Sequence, residues 1–203
     1  MSDKKPPDIS LEALRDGNRD EFARLVDAYS GAIYRLAMKV LGDDQDAEDV
    51  LQNTFLNAFK HISGFEERAS LSTWLYRIAA NEALMLIRKR RPETTLTDTA
   101  TEDDEGKDYS PVQFVDWCCL PEDELLSTES KRYLDKAIHR LPEKLRIVFI
   151  LRDLEGLSIE ETSQALELSQ TAVKTRLLRA RLNLREQLSS YYGERLQDRS
   201  KVK

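Results

Sequence analysis

Residues 156–181, "GLSIEETSQALELSQTAVKTRLLRAR", decide the fold of the last third of the chain and raise the question of its function. Ser158 is followed three positions later by Glu161, the pair in which each side chain satisfies the other's backbone N–H at a helix start. A short helix through Leu166, a turn at "ELS" and a longer helix capped by Ser169 then make a helix-turn-helix. In the second helix Val173, Leu177, Ala180, Leu184 and Leu188 fall on one apolar stripe that must face a core. Lys174, Thr175, Leu178, Arg179 and Arg181 are thereby thrown to the opposite side or its edges.

The stretch 169–185 holds Lys174, Arg176, Arg179, Arg181 and Arg185 and no acid, in a chain of net charge −6. Screening confines an exposed charge to about 8–10 Å, so where the charges sit matters more than their sum. A helix with one apolar stripe and a cationic outer face fits the DNA major groove, where Lys and Arg meet phosphates or guanine edges. An exposed Leu178 among cations has a use there, against thymine methyls. The blander account is a basic surface helix. If all five cations met phosphates, affinity would fall with salt at a log-log slope of about −4 to −5.

At 203 residues the chain suits two small domains. Apolar residues make up 40% and charged ones 33%, with 7 Gly and 6 Pro, the usage of a helix-rich globular protein. No apolar run approaches membrane-spanning length and "MSDKKPPDIS" lacks the apolar middle of a secretion signal, which places the protein in the cytoplasm. The adjacent Cys118 and Cys119 supply at most half a metal site and read as reduced, incidental thiols. His61 and His139 have no metal-ligand neighbour at helical spacing, and no glycine loop cradles phosphate. No cofactor, no metal and no catalytic residue is expected, and the chain is not read as an enzyme.

Upstream, Phe22, Leu25, Val26, Tyr29, Ile33, Leu36, Ala37 and Val40 step by three and four up to Gly42, a helix and its stop. A second helix from Asp43 or Asp44 buries Ala47, Val50, Leu51, Phe55, Ala58, Phe59 and Ile62 and ends at Gly64. A third runs from Leu71 to Arg90, ahead of Pro92. Periodicity then fails, and "ETTLTDTATEDDEGKDY" reads as a solvated acidic tether, within which "PVQFVDWCC" is apolar enough to dock on something. Helical spacing resumes at Tyr133, Leu134, Ala137, Ile138 and Leu141, with Pro142 in the first turn of a new helix. "RIVFILRDLEG" is read as helix because of its charged flanks and Gly156. The fold class is all-α: two small helical domains, residues 1–91 and 129–203, joined by an acidic flexible linker over 92–128.

"RASLSTWLYRIAANEALMLIRKRR" (68–91) places Trp74, Tyr76, Arg77 and Asn81 within about two turns and ends in four cations. Aromatic rings stack on unpaired bases while cations follow the phosphates, the combination of single-strand binding. Ile78, Ala79 and much of Trp74 also suit a core, and cations favour a helix carboxy terminus in any case.

In its order of motifs the chain resembles the extracytoplasmic-function (ECF) sigma factors of bacterial RNA polymerase. "TWLYRIAANEAL...RKRR" is similar to the family's minus-ten recognition and melting segment (region 2). "DAEDVLQNTFLNAFKHI" is similar to its core-binding helix, and residues 141–186 to its minus-thirty-five domain (region 4). The resemblance implies that Asp49, Gln52, Asn53 and Leu56 face core polymerase. It assigns Phe65, Ser70, Trp74, Arg77, Asn81, Arg88 and Arg90 to the minus-ten element, with the loop 65–72 and Asn81 around a flipped base. Thr171, Lys174, Thr175, Leu178, Arg179 and Arg181 are assigned to the minus-thirty-five element. Met85 stands where the family often has an acidic or amide residue. The implied partners are core RNA polymerase, promoter DNA, duplex and single-stranded, and an anti-sigma factor, with no membrane insertion. The acids of the tether resemble RNA electrostatically, though solvation explains them equally well. The alternative is a stand-alone dimeric helix-turn-helix repressor or activator, which needs a dimer interface; no long coiled-coil heptad supplies one.

Overall fold

The computed structural model of the chain describes residues 9–90 and 128–200, and these contain helices and turns but no strand. Helix α1 (Leu11–Arg15) opens at Ser10, whose hydroxyl accepts the Ala13 N–H at 3.2 Å. Five residues are too few to show a period, so no sequence pattern marks this helix. Helix α2 (Arg19–Leu41) is capped by Asn18, which accepts from the N–H groups of Asp20 and Glu21 at 2.9 and 3.1 Å. It stops where periodicity predicts, at Gly42, whose φ of 75° is open to glycine and whose N–H returns to the Met38 carbonyl at 2.8 Å.

Helix α3 (Asp44–His61) starts at the Asp43 cap and runs into a 3-10 turn, Ile62–Gly64. Helix α4 (Leu71–Arg90) follows, with Ser70 accepting the Thr73 N–H at 3.1 Å. Helices α2, α3 and α4 pack on one another, burying Leu25, Ile33, Leu36, Val50, Ala58, Leu75, Ala79 and Ala83. Phe59 departs from its expected place in the core. It is 47% exposed and rests edge-on against Phe22 at 5.0 Å, because it lies at the margin of the α3 stripe.

The second half begins with α5 (Thr128–Arg140) and α6 (Glu143–Phe149). Pro142 serves as the N-cap of α6, with ψ of 141°, and so stands one position before the first turn. "RIVFILRDLEG" is helical as read, but its second part, Ile150–Leu154, widens to a π-helix that closes at Gly156. The helix-turn-helix follows as α7 (Ile159–Leu166) and α8 (Gln170–Ser200). Both capping-box hydrogen bonds are present, Glu161 N–H to Ser158 Oγ at 3.0 Å and Ser158 N–H to Glu161 Oε2 at 2.8 Å. Ser169 caps α8 through the Ala172 N–H at 3.1 Å.

The two halves are not merely tethered. Helix α2 meets α5, α6 and the π-helical segment, α4 lies against α7, and the buried apolar residues of both halves form one continuous cluster. "PVQFVDWCC", Cys118, Cys119 and the acidic stretch lie outside the described residues.

Candidate nucleic-acid interface

Helix α8 sorts its side chains by the 100° step of an α-helix. Val173, Leu177, Ala180 and Leu184 are buried, which turns Thr171, Thr175 and Leu178 outward; Leu178 is 59% exposed. Lys174 and Arg179 flank them, Lys174 exposed and Arg179 half-buried. Arg176 falls beside the buried stripe, where burial lowers its pKa, so it leaves the set of five cations that the acid-free stretch presents in sequence. Arg181 is exposed but forked onto Asp153, Nε to Oδ2 at 2.8 Å and Nη2 to Oδ1 at 2.7 Å, and this pairing raises its pKa. The π-helical segment carries Asp153 to that position, and nothing in the sequence spacing announces it.

On α4, Trp74, Arg77, Asn81, Met85 and Arg88 lie within about 80° of arc, forming one ridge. Arg77, Asn81, Met85 and Arg88 are exposed, while Trp74 is half-buried and packs on Phe65 with ring centroids 5.1 Å apart. Phe65 itself is 7% exposed, and its carbonyl accepts from Arg15 Nη2 at 2.5 Å, so it supports Trp74 from below and offers no ring to a base. The Ser70 hydroxyl is engaged at the helix start with Ser72, at 2.9 Å, and Thr73, at 2.7 Å. Arg90 turns back along α3 to an ion pair with Asp46. The ridge therefore consists of Trp74, Arg77, Asn81, Met85 and Arg88, whereas Phe65, Ser70 and Arg90 shape its ends.

Both ridges lie in segments that match known proteins of one family. The Sigma-70 region 2 model matches residues 25–93 and the Sigma-70 region 4 model residues 131–184. The ECF RNA polymerase sigma factor SigW of Bacillus subtilis is 38% identical over 179 residues, covering 88% of this chain and 94% of that protein. The chain belongs to the ECF sigma factor family. The ECF sigma-E factor of Haemophilus influenzae is 33% identical, covering 89% of this chain and 94% of that one. Among solved structures, CnrH in complex with the cytosolic domain of CnrY superposes with a TM-score of 0.63 at 25% identity, covering 89% of this chain and 95% of that one. The sigma factor RpoE bound to the anti-sigma factor NepR of Bartonella quintana shares the fold, with a TM-score of 0.60 at 24% identity over 83% of this chain and 97% of that one.

In this sigma factor, Asp49, Gln52, Asn53 and Leu56 all lie on the exposed side of α3, and Leu56 is 50% exposed although apolar. Glu82 of α4 accepts from Asn57 Nδ2 of α3 at 2.9 Å, a second polar link between these two helices beside the Arg90–Asp46 pair, and Met85 on the same helix is exposed. Sequence reasoning missed the carboxylates that hold the arginines: Asp153 on Arg181, Asp46 on Arg90 and Glu167 on Arg77. Each lies 28 or more positions from its arginine, too far for any helical period to connect them. Among the described residues no group of three or more His, Cys, Asp or Glu is placed to hold a metal ion.

Proposed function

We propose that the chain is a transcription initiation factor that binds bacterial core RNA polymerase, directs it to particular promoters and traps the opened strand, with no catalytic step of its own. In this reading residues 1–91 act as region 2 and 129–203 as region 4. The exposed side of α3 (Asp49, Gln52, Asn53, Leu56) docks on polymerase. The α4 ridge holds the minus-ten single strand, with Trp74 for stacking and Arg77 and Arg88 for phosphates. The outer face of α8 (Thr171, Lys174, Thr175, Leu178, Arg179) reads the minus-thirty-five duplex, and Arg181 joins it by exchanging Asp153 for a phosphate. Unstacking a base costs a few kcal/mol, so capture of the strand depends on polymerase contacts as well.

The observation that carries this reading is the pair of ridges, exposed on α4 and α8 in a chain 38% identical to SigW over nearly its whole length. Two solved relatives are bound to partners, the cytosolic domain of CnrY and the anti-sigma factor NepR, which supports control of this chain by an anti-sigma protein. No described helix is long and apolar enough to cross a membrane, and work on promoter DNA places the protein in the cytoplasm.

The deciding experiment mixes the purified protein with core polymerase and promoter DNA, with and without a pre-melted bubble. Complex formation and capture of the bubble's single strand are expected, with Asn81→Ala and Lys174→Ala reducing it. A protein that ignores core yet binds a duplex site tightly as a dimer would overturn the reading in favour of a stand-alone repressor.

A further inference from the structure

The DNA reading gives helix α1 no role, yet this helix delivers one guanidinium to the foot of the α4 ridge. Five residues cannot sustain a helix on their own. Helix α1 is instead fixed from both ends: Leu14 is buried, the Ser10 N–H donates to Glu21 Oε1 at 2.7 Å, and the Asn18 N–H returns to the Ala13 carbonyl at 3.0 Å. It packs against the 3-10 turn Ile62–Gly64 and so brings Arg15 to the loop that follows. One terminal nitrogen of Arg15, Nη2, donates both to the Phe65 carbonyl at 2.5 Å and to Glu67 Oε1 at 2.8 Å.

The loop held in this way, residues 65–70, begins and ends on Trp74. Phe65 packs on the indole with ring centroids 5.1 Å apart, and the Ser70 carbonyl accepts the Trp74 backbone N–H at 3.0 Å. Between these two contacts Glu67 is left-handed, with φ of 57°, a region that glycine takes freely and a glutamate keeps only where its surroundings hold it. Glycine here would relieve the backbone but would leave Arg15 without its carboxylate. A backbone outlier tied down by a charged partner 52 positions away points to a segment whose shape is used.

We infer that Arg15 is a positioning residue for minus-ten reading: by pinning Phe65 and Glu67 it fixes the loop against which Trp74 is set, and so determines how sharply the ridge discriminates among unpaired bases. Arg15 acts through Phe65 and Trp74 and touches no nucleotide itself. Stacking on an aromatic ring is tolerant of sequence, because every base has a π-face, so discrimination has to come from fixed surroundings of the ring. Phosphate contacts likewise position a strand without reading it. A loosened loop would leave stacking on Trp74 and the phosphate contacts of Arg77 and Arg88 in place, so the loss falls on base choice and not on affinity. The effect on base choice rests on the sigma-factor reading; the pinning of the loop does not.

The test uses the full chain with Trp117→Phe, which leaves Trp74 as its one tryptophan. Acrylamide quenching of Trp74 fluorescence is measured on the free protein. The same chains, assembled with core polymerase, then select from a pool of pre-melted bubble DNA randomised over the unpaired strand, and the captured strands are sequenced. Arg15→Ala should raise the quenching constant at unchanged helical circular dichroism. In the holoenzyme it should flatten the base preference by up to about fivefold, the range open to an exposed charged pair, while total capture of the pool holds. Glu67→Ala should act in the same direction. Arg15→Lys should recover most of the loss, because both bonds leave from one nitrogen. Arg19→Ala removes the same charge from the exposed start of α2 and should change neither readout. Unchanged quenching in Arg15→Ala, a base preference as sharp as the parent's, or an Arg19→Ala chain that behaves like Arg15→Ala would each overturn the inference. A parent holoenzyme that captures no bubble DNA would overturn the sigma-factor reading instead, and the quenching result on the free chain would stand as measured.

Discussion

Replacing Arg146 with methionine tests how much of the molecule's integrity hangs on one side chain at the junction of its halves. The guanidinium donates to the Val40 carbonyl at 2.6 Å and to the Leu141 carbonyl from Nη2 at 3.0 Å and Nε at 3.3 Å. Both carbonyls belong to helix ends, α2 and α5, where the last four acceptors have no partner within the helix. The site is half-buried, and burial lowers the pKa of Arg146 while Glu143 opposes the shift. Methionine keeps the apolar stem and removes every donor. Hydrogen bonds to a charged group contribute about 1.5–3 kcal/mol each. The two long bonds share one carbonyl and water reaches part of the site, so two carbonyls at about 1.5 kcal/mol give about 3 kcal/mol. At about 2–4 °C per kcal/mol for a chain of this size, Tm should fall by about 6–12 °C in calorimetry. Because Val40 and Arg146 lie in different halves, the single transition should also broaden or split. Arg146→Lys should recover less than half of the loss, since a point donor cannot span two helix ends. A methionine variant that melts within about 2 °C of the parent, in one sharp transition, would refute the account.

Ser158→Ala removes the capping-box acceptor for the Glu161 N–H and should cost about 1 kcal/mol, read as a matching shift in the urea midpoint at unchanged m-value. Leu178→Ala should leave Tm within about 1 °C, since the side chain is 59% exposed, while weakening capture of a minus-thirty-five duplex by the holoenzyme about fivefold; a fall of several degrees would show that the leucine is packed. His139 lies against Gly42, with Arg146 and Lys39 beside it and Asp135 opposing; burial first, then the Arg146 charge, lowers its pKa from 6.5. The folded chain thus binds fewer protons there than the unfolded one, so its contribution is whole above about pH 6.5 and fades as pH falls through the folded value. His139→Gln should flatten Tm across that window, and an unchanged acid-side slope would remove His139 as its source. With Arg176 beside the core stripe and Arg181 exchanging Asp153 for a phosphate, the salt slope for duplex binding by α8 should lie near about −3.6, from about four phosphate contacts, and a measured slope near about −2.7 would show that Arg181 stays on Asp153.

Most of the helical organisation was decided locally and is legible in the sequence. Gly42, the Asn18 and Asp43 caps, the Ser158–Glu161 box and the 3.6-residue spacing each act within one or two turns, so nearest neighbours determine where α2, α3, α4, α7 and α8 begin or end. The same periodicity brings Trp74, Arg77, Asn81 and Arg88 onto one ridge and Leu178 onto the outside of α8. Where the sequence reading departed from the structure, a distant partner was responsible. Phe59 is half out of the core against Phe22, Phe65 lies beneath Trp74, and Arg90 and Arg181 are held by Asp46 and Asp153. The contact between the halves rests on pairs 79, 90, 96 and 106 positions apart, Tyr76 with Glu155, Arg77 with Glu167, Lys39 with Asp135 and Arg146 with Val40. Local propensity carries no record of such pairs, because the helical period of one segment says nothing about a partner 79 or more positions away until the packed helices bring the two within hydrogen-bond reach. Which side chains the helices expose as ridges was written in the helical period; how the two halves sit on each other was decided only in three dimensions.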